Sequence, residues 1–166
     1  MKKNLEVTVR GAKVQDAKTL TRIEAICFPQ KEAAELATFE ARLKSFGECF
    51  LVAEAEGNII GFINGMVTNH KTIRDVMFED ASLHEADGAW QSVFGLDVLP
   101  EYRCRGVAAE LMQTFIAKAR EEGRKGCILT CKERLIPYYS KFGYVNQGIS
   151  KSQHGGAVWY DMLLEF

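Results

Sequence analysis

The stretch that decides the fold is Leu96–Ala108, which reads Leu-Asp-Val-Leu-Pro-Glu-Tyr-Arg-Cys-Arg-Gly-Val-Ala. Its apolar first half is typical of a buried strand, and Pro100 ends that strand because proline has no amide hydrogen to donate. A basic turn with Arg103, Arg105 and Gly106 follows and leads into an amphipathic helix. The free N–H groups at a helix N-terminus attract anions, and a glycine lets a phosphate approach the backbone. The turn therefore predicts a diphosphate site, the alternative being an ordinary strand–helix turn with solvated arginines.

The pattern around this turn excludes two common phosphate-binding motifs. There is no GxGxxG, as in dinucleotide-binding domains, and no GK[ST], as in nucleotide-binding P-loops. The charge balance also limits the kind of anion that the chain can bind. The chain has 21 Lys and Arg against 22 Asp and Glu, a net charge of −1, whereas nucleic-acid-binding domains usually carry a strong basic excess. We therefore expect no nucleic-acid partner and a small anionic ligand that is held locally.

The length of 166 residues fits a single domain over residues 1–166. No apolar run approaches the roughly 20 residues of a membrane span, and residues 1–10 lack the apolar stretch of a secretory signal. The five cysteines include no CxxC pair, and Cys127 and Cys131 are too far apart along an extended strand to form a disulfide. These features predict a reduced, cytoplasmic protein without a membrane contact or a metal site.

Hydrophobic periodicity predicts an α/β domain. The clearest helix runs from about Arg105 to Glu122 and connects the strand Trp90–Leu99 to a parallel strand, Gly126–Cys131. Gly95 inside the first of these strands indicates a bulge or the close approach of another backbone. The remaining predictions are a strand over Leu5–Arg10, a helix capped by Asp16 and stopped near Pro29, a helix over 36–46 with Gly47 at its C-cap, a hairpin of strands 50–55 and 59–67, an acidic loop over 68–88 with a short helix within 73–83, a short helix over 135–141, and a final antiparallel pair over 144–149 and 157–164.

Two segments resemble the GNAT superfamily of N-acetyltransferases. The basic turn fits the superfamily's acetyl-CoA motif, [Q/R]-x-x-G-x-[G/A], with Arg103, Gly106 and Ala108 at the fixed positions. The second segment, Cys131–Tyr144 (CKERLIPYYSKFGY), is most similar to that of arylalkylamine (serotonin) N-acetyltransferases. The order of elements also matches along nearly the whole chain. The resemblance implies the GNAT fold, a mixed, mostly antiparallel sheet that splays at a central parallel pair and is flanked by helices.

The resemblance also implies acetyl-CoA as the cosubstrate, with no metal. Its pantetheine arm would pair with the backbone of Leu96 and Val98, on either side of Asp97, and an N–H near Leu96 would polarise the thioester carbonyl. Tyr139 matches the tyrosine that protonates the departing thiolate in many members. Its neighbour Tyr138 points about 100° away on a helix, so only one of the two can face the sulfur. The residues expected to bind the diphosphate are Arg103, Cys104, Arg105, Gly106, Val107 and Ala108.

At the general base the sequence departs from the arylalkylamine N-acetyltransferases. Those enzymes carry two histidines on the bulged strand, and the matching positions here are Ser92 and Phe94. An alkylamine has a pKa of about 10, so a base or a water chain must remove its proton. The candidates are water held by Ser92, His84, Asp97 and the loop acids Glu79, Asp80 and Glu85.

The acceptor is expected on the other side of the thioester, framed by the first two helices, the acidic loop and the final hairpin. Its apolar walls would come from Phe28, Trp90 and Trp159, each of which is equally consistent with a place in the core. His154 is a further candidate for substrate contact. The acids that would attract a cationic amine, or else simply face solvent, are Glu32, Glu35, Glu79 and Asp80.

The sequence thus predicts an enzyme that transfers acetyl from acetyl-CoA to the primary amine of a small molecule, of arylalkylamine or polyamine type. The amine would attack directly in a ternary complex. One alternative is a protein or peptide N-acetyltransferase, which usually needs an open groove. The other is an acyl-CoA-binding sensor that lost catalysis together with the strand histidines. A homodimer is compatible with the sequence.

Overall fold

The computed structural model describes residues 5–166; residues 1–4, part of the segment expected to lack a secretory signal, lie outside this range. Helices and strands follow one another in the predicted order, and several connections contain short 3₁₀ turns. The strands are β1 (Thr8–Gly11), β2 (Phe50–Ala55), β3 (Asn58–Asn64), β4 (Val67–Thr68), β5 (Trp90–Val93), β6 (Gly95–Val98), β7 (Gly126–Cys131), β8 (Val145–Ile149) and β9 (Tyr160–Glu165). The helices are α1 (Ala17–Cys27), α2 (Leu36–Phe46), α3 (Asp75–Glu79), α4 (Val107–Glu121) and α5 (Ile136–Ser140).

The strands form two sheets. One is antiparallel in the order β1–β2–β3–β6, and the other has the order β4–β5–β7–β9–β8 with β5 and β7 parallel. The stretch predicted as one bulged strand, Trp90–Leu99, is two strands: β5 pairs with β7, whereas β6 pairs with β3. The break lies at Phe94, beside Gly95. Since β6 and β7 diverge from this point, the splayed mixed sheet that the resemblance implies is confirmed.

Two glycines on the neighbouring chain segment hold this break in place. A Cβ at Gly61 would lie 2.5 Å from the carbonyl oxygen of Asp97, and a Cβ at Gly65 would lie 1.9 Å from that of Ser92. Real Cβ atoms do not come this close, so only glycine lets the chain pass against both β6 and β5. The backbone around the break is therefore fixed by close packing from the opposite side.

The helix α4 connects β6 to β7 and buries one apolar face. This face follows the predicted three- and four-residue spacing and consists of Val107, Leu111, Met112, Phe115 and Ala119. It packs against strands of both sheets, and together they form one of the two hydrophobic clusters of the domain. Only the turn over residues 99–106 separates β6 from α4, so the N-terminus of α4 lies near the end of the open strand.

The helices α1 and α2 cover the opposite side and form a second core rich in phenylalanine. Phe39 meets Phe62 edge to face, with ring centroids 5.6 Å apart, and both are fully buried. The prediction that Asp16 caps α1 is wrong in detail. Its carboxylate accepts hydrogen bonds from the Lys13 amide and the Arg10 guanidinium, and so it caps the preceding 3₁₀ turn instead.

The short helix expected within the acidic loop is present as α3, and the five cysteines are free, as predicted. Within residues 5–166, none of the helices has both the length and the apolar character needed to cross a bilayer.

Truncation of the α4 face tests how far the domain depends on it. Leu111 is fully buried, so Leu111→Ala leaves a cavity and lowers the free energy of unfolding by about 2–5 kcal/mol. Gln113→Ala, on the exposed face of the same helix, changes it by less than about 0.5 kcal/mol. Urea denaturation followed by circular dichroism measures both values. Equal stability of the two variants would contradict the packing described here.

Candidate active site

A cavity of about 340 Å³ lies in the gap between β6 and β7. One part of its wall is the backbone break itself, with Gly95 and Leu96, faced by Thr130 of β7 and Tyr139 of α5. The other part comes from α1, α2 and the loop between them, over residues 28–35. The cavity therefore joins the splayed strands to the two N-terminal helices, where the sequence predicts the acceptor site.

The strand β6 faces this gap with the edge that pairs with no other strand of the described residues. On its other side it pairs with β3, and the Leu99 amide donates to the Ile60 carbonyl at 2.9 Å. Because the direction of backbone groups alternates along a strand, those of Leu96 and Val98 face away from β3. The Val98 carbonyl accepts instead from Arg103 Nε at 2.9 Å. The two residues predicted to pair with pantetheine thus have their backbone groups on the open side.

The basic turn after β6 has the backbone shape of an anion cradle. Cys104 (φ 61°) and Gly106 (φ 81°) are both left-handed, a local geometry that turns successive N–H groups toward one side. Gly106 is also the N-cap of α4, and its neighbour Val107 has a buried side chain, so that only its backbone is available to a ligand. The turn predicted to bind diphosphate therefore combines a curled backbone with a 15-residue helix N-terminus.

Tyr139, and not Tyr138, faces the cavity. Tyr138 packs against it edge to face, with ring centroids 5.2 Å apart. Burial is the main cause that raises the pKa of Tyr139 well above the usual value of about 10. The hydroxyl of Tyr139 consequently stays protonated at neutral pH and can serve as a proton donor toward the gap.

A pair of buried carboxyl groups lies directly beneath the break. The position of a Cβ at Gly95 would be 3.0 Å from Asp97 Oδ1 and 3.5 Å from Glu24 Oε1. Both carboxyls thus converge on one point from different elements, Glu24 from α1 and Asp97 from β6. Glu24 is 6 % exposed and lines the cavity, whereas Asp97 is 1 % exposed and lies behind it.

The surroundings of Asp97 favour its neutral, protonated form. Burial, together with the neighbouring Glu24, raises the pKa of Asp97 well above its usual range, because two desolvated carboxyls this close resist ionising together. The Arg42 guanidinium partly opposes this effect, and burial lowers its own pKa to about 10. Arg42 is fixed by hydrogen bonds to Asn64 Oδ1 (3.2 Å) and the Phe78 carbonyl (2.9 Å).

Glu24 and Arg42 are functional candidates that sequence reasoning missed. Glu24 lies on the apolar stripe of α1, together with Leu20 and Ile23, where a charged residue is unusual. Arg42 occupies the same kind of position beside Phe39 on α2. A carboxylate and a guanidinium on the buried faces of adjacent helices are the signal that could have identified them.

A sequence profile of the Acetyltransferase (GNAT) family matches residues 17–144. The match includes the carboxyl pair, the basic turn and Tyr139, and covers most of the chain. The chain belongs to the GNAT acetyltransferase family.

Two human proteins are similar to this GNAT chain in sequence. N-acetyltransferase 8 is 27 % identical over 111 residues, which cover 65 % of this chain and 43 % of the relative. N-acetyltransferase 8B is 28 % identical over 111 residues with the same coverage. The chain thus spans less than half the length of these curated relatives.

Solved structures share the GNAT fold along nearly the whole chain. The loading GNATL domain of CurA from Lyngbya majuscula has a TM-score of 0.83 at 13 % identity, covering 96 % of this chain and 98 % of that one. The GphF GNAT-like decarboxylase in complex with isobutyryl-CoA has a TM-score of 0.83 at 20 % identity, covering 95 % and 98 %. Arabidopsis thaliana Naa50, in complex with the bisubstrate analogue CoA-Ac-MVNAL, has a TM-score of 0.75 at 17 % identity, covering 96 % and 99 %. At these identities the likeness shows the fold alone.

Four predicted acceptor residues of the GNAT domain do line the cavity: Phe28, Glu32, Glu79 and Trp159. Glu35 and His154, considered in the sequence, line it as well. The Glu32 side chain is only 7 % exposed and forms an ion pair with Lys132 at 2.9 Å. This part of the cavity wall therefore combines aromatic side chains with carboxylates.

Trp90 and Asp80 are not part of this cavity wall. Trp90 is buried in the second core, because alternation along β5 turns its side chain toward the α1–α2 cluster. The exposed Asp80 accepts a hydrogen bond from the Ser82 amide at 3.0 Å. Trp90 therefore packs in the core and Asp80 stabilises a turn, and neither side chain lines the cavity.

Neither Ser92 nor His84 borders the cavity. The Ser92 hydroxyl is fully buried and donates to the Met66 carbonyl at 2.7 Å. His84 Nδ1 accepts from the Val67 amide at 3.0 Å, so its Nε2 carries the hydrogen and lies 3.3 Å from Glu48 Oε1. Both side chains thus form hydrogen bonds or ion-pair contacts away from the cavity. The same holds for Glu85, whose carboxylate accepts hydrogen bonds from the backbone and side-chain N–H groups of Asn69.

The environment of His84 has a consequence for stability. Burial lowers its pKa below the ordinary value of 6.5, with Glu48 opposing this shift and Arg124 adding to it. As the pH falls below about 6.5, the unfolded chain gains a proton that the folded chain resists, and the free energy of unfolding decreases. His84→Gln removes this contribution. Urea denaturation at about pH 7.5 and about pH 5.5 should show a smaller acid-induced loss in the variant. An equal loss in both proteins would disprove the neutral, buried state of His84.

Proposed function

We propose that this chain transfers an acetyl group from acetyl-CoA to the primary amine of a small molecule, by direct attack in a ternary complex. The observation that carries the proposal is that a single cavity joins the open edge of β6, the Tyr139 hydroxyl and an acceptor side built from α1 and α2. Membership of the GNAT family gives the reaction class. A reduced cytoplasm, in which the five free cysteines persist, is the proposed setting.

Acetyl-CoA would extend along β6 and end at the basic turn. Its pantetheine amides would pair with the backbone of Leu96 and Val98, in place of the strand that is missing on this edge. The diphosphate would accept hydrogen bonds from the N–H groups of the curled segment 103–108. The thioester would then lie at Gly95, where the Leu96 amide can stabilise negative charge on the carbonyl oxygen. The GphF decarboxylase, which has the same fold, forms a complex with isobutyryl-CoA, and this supports a thioester of CoA as the ligand.

The proposed chemistry needs an acid near the sulfur. As the amine nitrogen bonds to the carbonyl carbon and the C–S bond breaks, the Tyr139 hydroxyl gives its proton to the departing thiolate. The proton that the new amide nitrogen sheds restores the phenol. Because the Tyr139 hydroxyl stays protonated across the neutral pH range, it has a proton to donate at the start of each catalytic cycle.

Contacts above the acceptor side support a small substrate over a polypeptide. Asp75 of α3 accepts hydrogen bonds from the Ser152 hydroxyl and the Gln153 amide, and Phe78 stacks on His154 with ring centroids 4.7 Å apart. His154 Nε2 in turn lies 2.9 Å from the Glu32 carbonyl oxygen. The α1–α2 loop, α3 and the segment before β9 are thus joined beside the cavity, and this rigid wall favours a small acceptor.

The lining of the acceptor side favours an arylalkylamine over a polyamine. Phe28, Phe78, Phe94 and Trp159 supply aromatic surface, which suits the apolar body of an arylalkylamine. Of the lining carboxylates, Glu32 is already paired with Lys132, whereas Glu35 and Glu79 are exposed and can attract one cationic amine. The similarity of Cys131–Tyr144 to arylalkylamine N-acetyltransferases also favours an arylalkylamine as the acceptor.

A substrate panel tests the proposal. Isothermal titration measures acetyl-CoA binding, and release of free CoA thiol is followed with tryptamine, phenethylamine, spermidine and a short peptide as acceptors. We expect binding, and the highest kcat/KM with the arylalkylamines. Absence of acetyl-CoA binding would overturn the proposal. Binding without turnover would identify a sensor, and preference for the peptide would identify a protein N-acetyltransferase.

Substitution of the two adjacent tyrosines tests the assignment of the acid. Tyr139→Phe removes the hydroxyl that faces the cavity and should lower kcat by about 100-fold or more, with little change in acetyl-CoA affinity. Tyr138→Phe is the matched control, since its ring packs against Tyr139 but does not line the cavity, and it should keep kcat within about threefold. Steady-state kinetics and titration give both quantities. Equal kcat values for the two variants would remove Tyr139 as the acid.

A further inference from the structure

One carboxylate oxygen in the wall of the cavity has no hydrogen-bond partner. The Glu32 side chain lines the cavity and is only 7 % exposed. Its Oε2 accepts from Lys132 Nζ at 2.9 Å, whereas its Oε1 is buried and accepts no hydrogen bond from the described residues. A buried polar atom without a partner is unfavourable, and the large majority of such atoms in folded proteins are satisfied. A bound molecule with a suitable donor would therefore supply the hydrogen bond that Oε1 lacks.

Close packing fixes the Glu32 side chain in this orientation. A Cβ at Gly155 would lie 2.6 Å from Glu32 Cγ, so only glycine leaves room for the side chain there. His154 Nε2 lies 2.9 Å from the Glu32 carbonyl oxygen, and the Trp159 indole N–H donates to the His154 carbonyl at 2.8 Å. The Lys132 ammonium lies 5.6 Å from the centroid of the Trp159 ring as well. The position of Oε1 is thus set before a ligand binds, which favours selective binding.

The ion pair with Lys132 determines which kind of donor suits Oε1. Because the ammonium balances the charge of the carboxylate, Glu32 attracts a further cation only weakly. The lone pairs of Oε1 nevertheless remain able to accept a hydrogen bond. The exposed carboxylates of Glu35 and Glu79 on the same cavity wall are better suited to attract the cationic amine. The donor that suits Oε1 is therefore a neutral N–H or O–H group.

The surroundings of Glu32 indicate where on the acceptor this donor lies. The aromatic side chains of Phe28, Phe78 and Trp159 line the same cavity and suit the ring of an arylalkylamine. The reacting amine must instead reach the thioester at Gly95. The side-chain atoms nearest to a Cβ at Gly95 belong to Asp97, Glu24 and Asn64. Glu32 is thus placed to meet the ring of the acceptor, and the break at Gly95 to meet its amine.

We propose that Glu32 is a specificity-determining residue, whose Oε1 accepts a hydrogen bond from an N–H or O–H group on the aromatic ring of the acceptor. This inference rests on the proposed function and narrows its substrate class to arylalkylamines with a ring donor, such as an indole N–H or a phenol O–H. An amine of similar shape without this donor leaves Oε1 unpaired and is a poorer substrate.

Two pairs of acceptors test this assignment. Tyramine differs from phenethylamine by one hydroxyl group, and tryptamine differs from its indole-N-methyl derivative by one ring N–H. In the wild type, kcat/KM should favour the donor about 10- to 100-fold in at least one pair. Glu32→Met removes both carboxylate oxygens at similar side-chain length, and should reduce that ratio to less than about threefold. Release of free CoA thiol at several amine concentrations gives kcat/KM for each acceptor.

Glu35→Gln is the matched control, because it neutralises another carboxylate on the same cavity wall. It should change kcat/KM equally for both members of a pair and so preserve their ratio. Thermal unfolding and acetyl-CoA titration establish that the variants are folded. If Glu32→Met does not fold, a crystal structure of the wild type with CoA and the preferred amine replaces it. The ring donor should then lie about 2.7–3.0 Å from Glu32 Oε1, and a donor directed elsewhere would contradict the assignment.

The ratios separate recognition of the ring from other roles of Glu32. A wild-type ratio near one in both pairs, or a preference that persists in Glu32→Met, would overturn the assignment. An equal loss for both members of each pair would show that Glu32 binds the amine or supports the wall, and would overturn it as well. Lack of turnover in the wild type with every amine would instead overturn the proposed function itself.

Discussion

The hydrogen bonding of one short segment determines the rest of the site. The chain from Trp90 to Val98 pairs first with β7 and then, after a break at Phe94, with β3. If it continued along β7, the backbone groups of Leu96 and Val98 would be used within the sheet and no gap would exist. The break frees that edge, opens the cavity and places Gly95 at its base. Close packing at Gly61 and Gly65 on the neighbouring chain segment maintains this geometry.

Three charged residues are buried beneath the same break. Glu24, Arg42 and Asp97 are each less than a tenth exposed, and a buried polar group without a full set of partners costs about 1–3 kcal/mol. A pure hydrophobic core at this point would be at least as stable. The helices α1 and α2 therefore carry charge beneath the gap at a cost to stability.

The sequence predicts the parts of the site that are local in the chain. Spacing and motif predict the turn from Arg103 to Ala108 and the helix of Tyr139. The residues that determine each of these structures lie within a few positions of one another in the chain. The carboxyl pair is not predictable this way, since Glu24 meets Asp97 only through the packing of α1 on β6. Candidates chosen by proximity in sequence, such as His84, failed to reach the cavity because the acidic loop folds toward Glu48 instead.

A crystal structure of the chain with CoA most directly tests the central claim, that the gap beside β6 binds the cosubstrate. The pantetheine amides should bond to the backbone of Leu96 and Val98, the diphosphate should lie in the turn from Arg103 to Ala108, and the sulfur should lie near Tyr139. CoA bound at another surface, or a gap closed by direct pairing of β6 with β7, would contradict it.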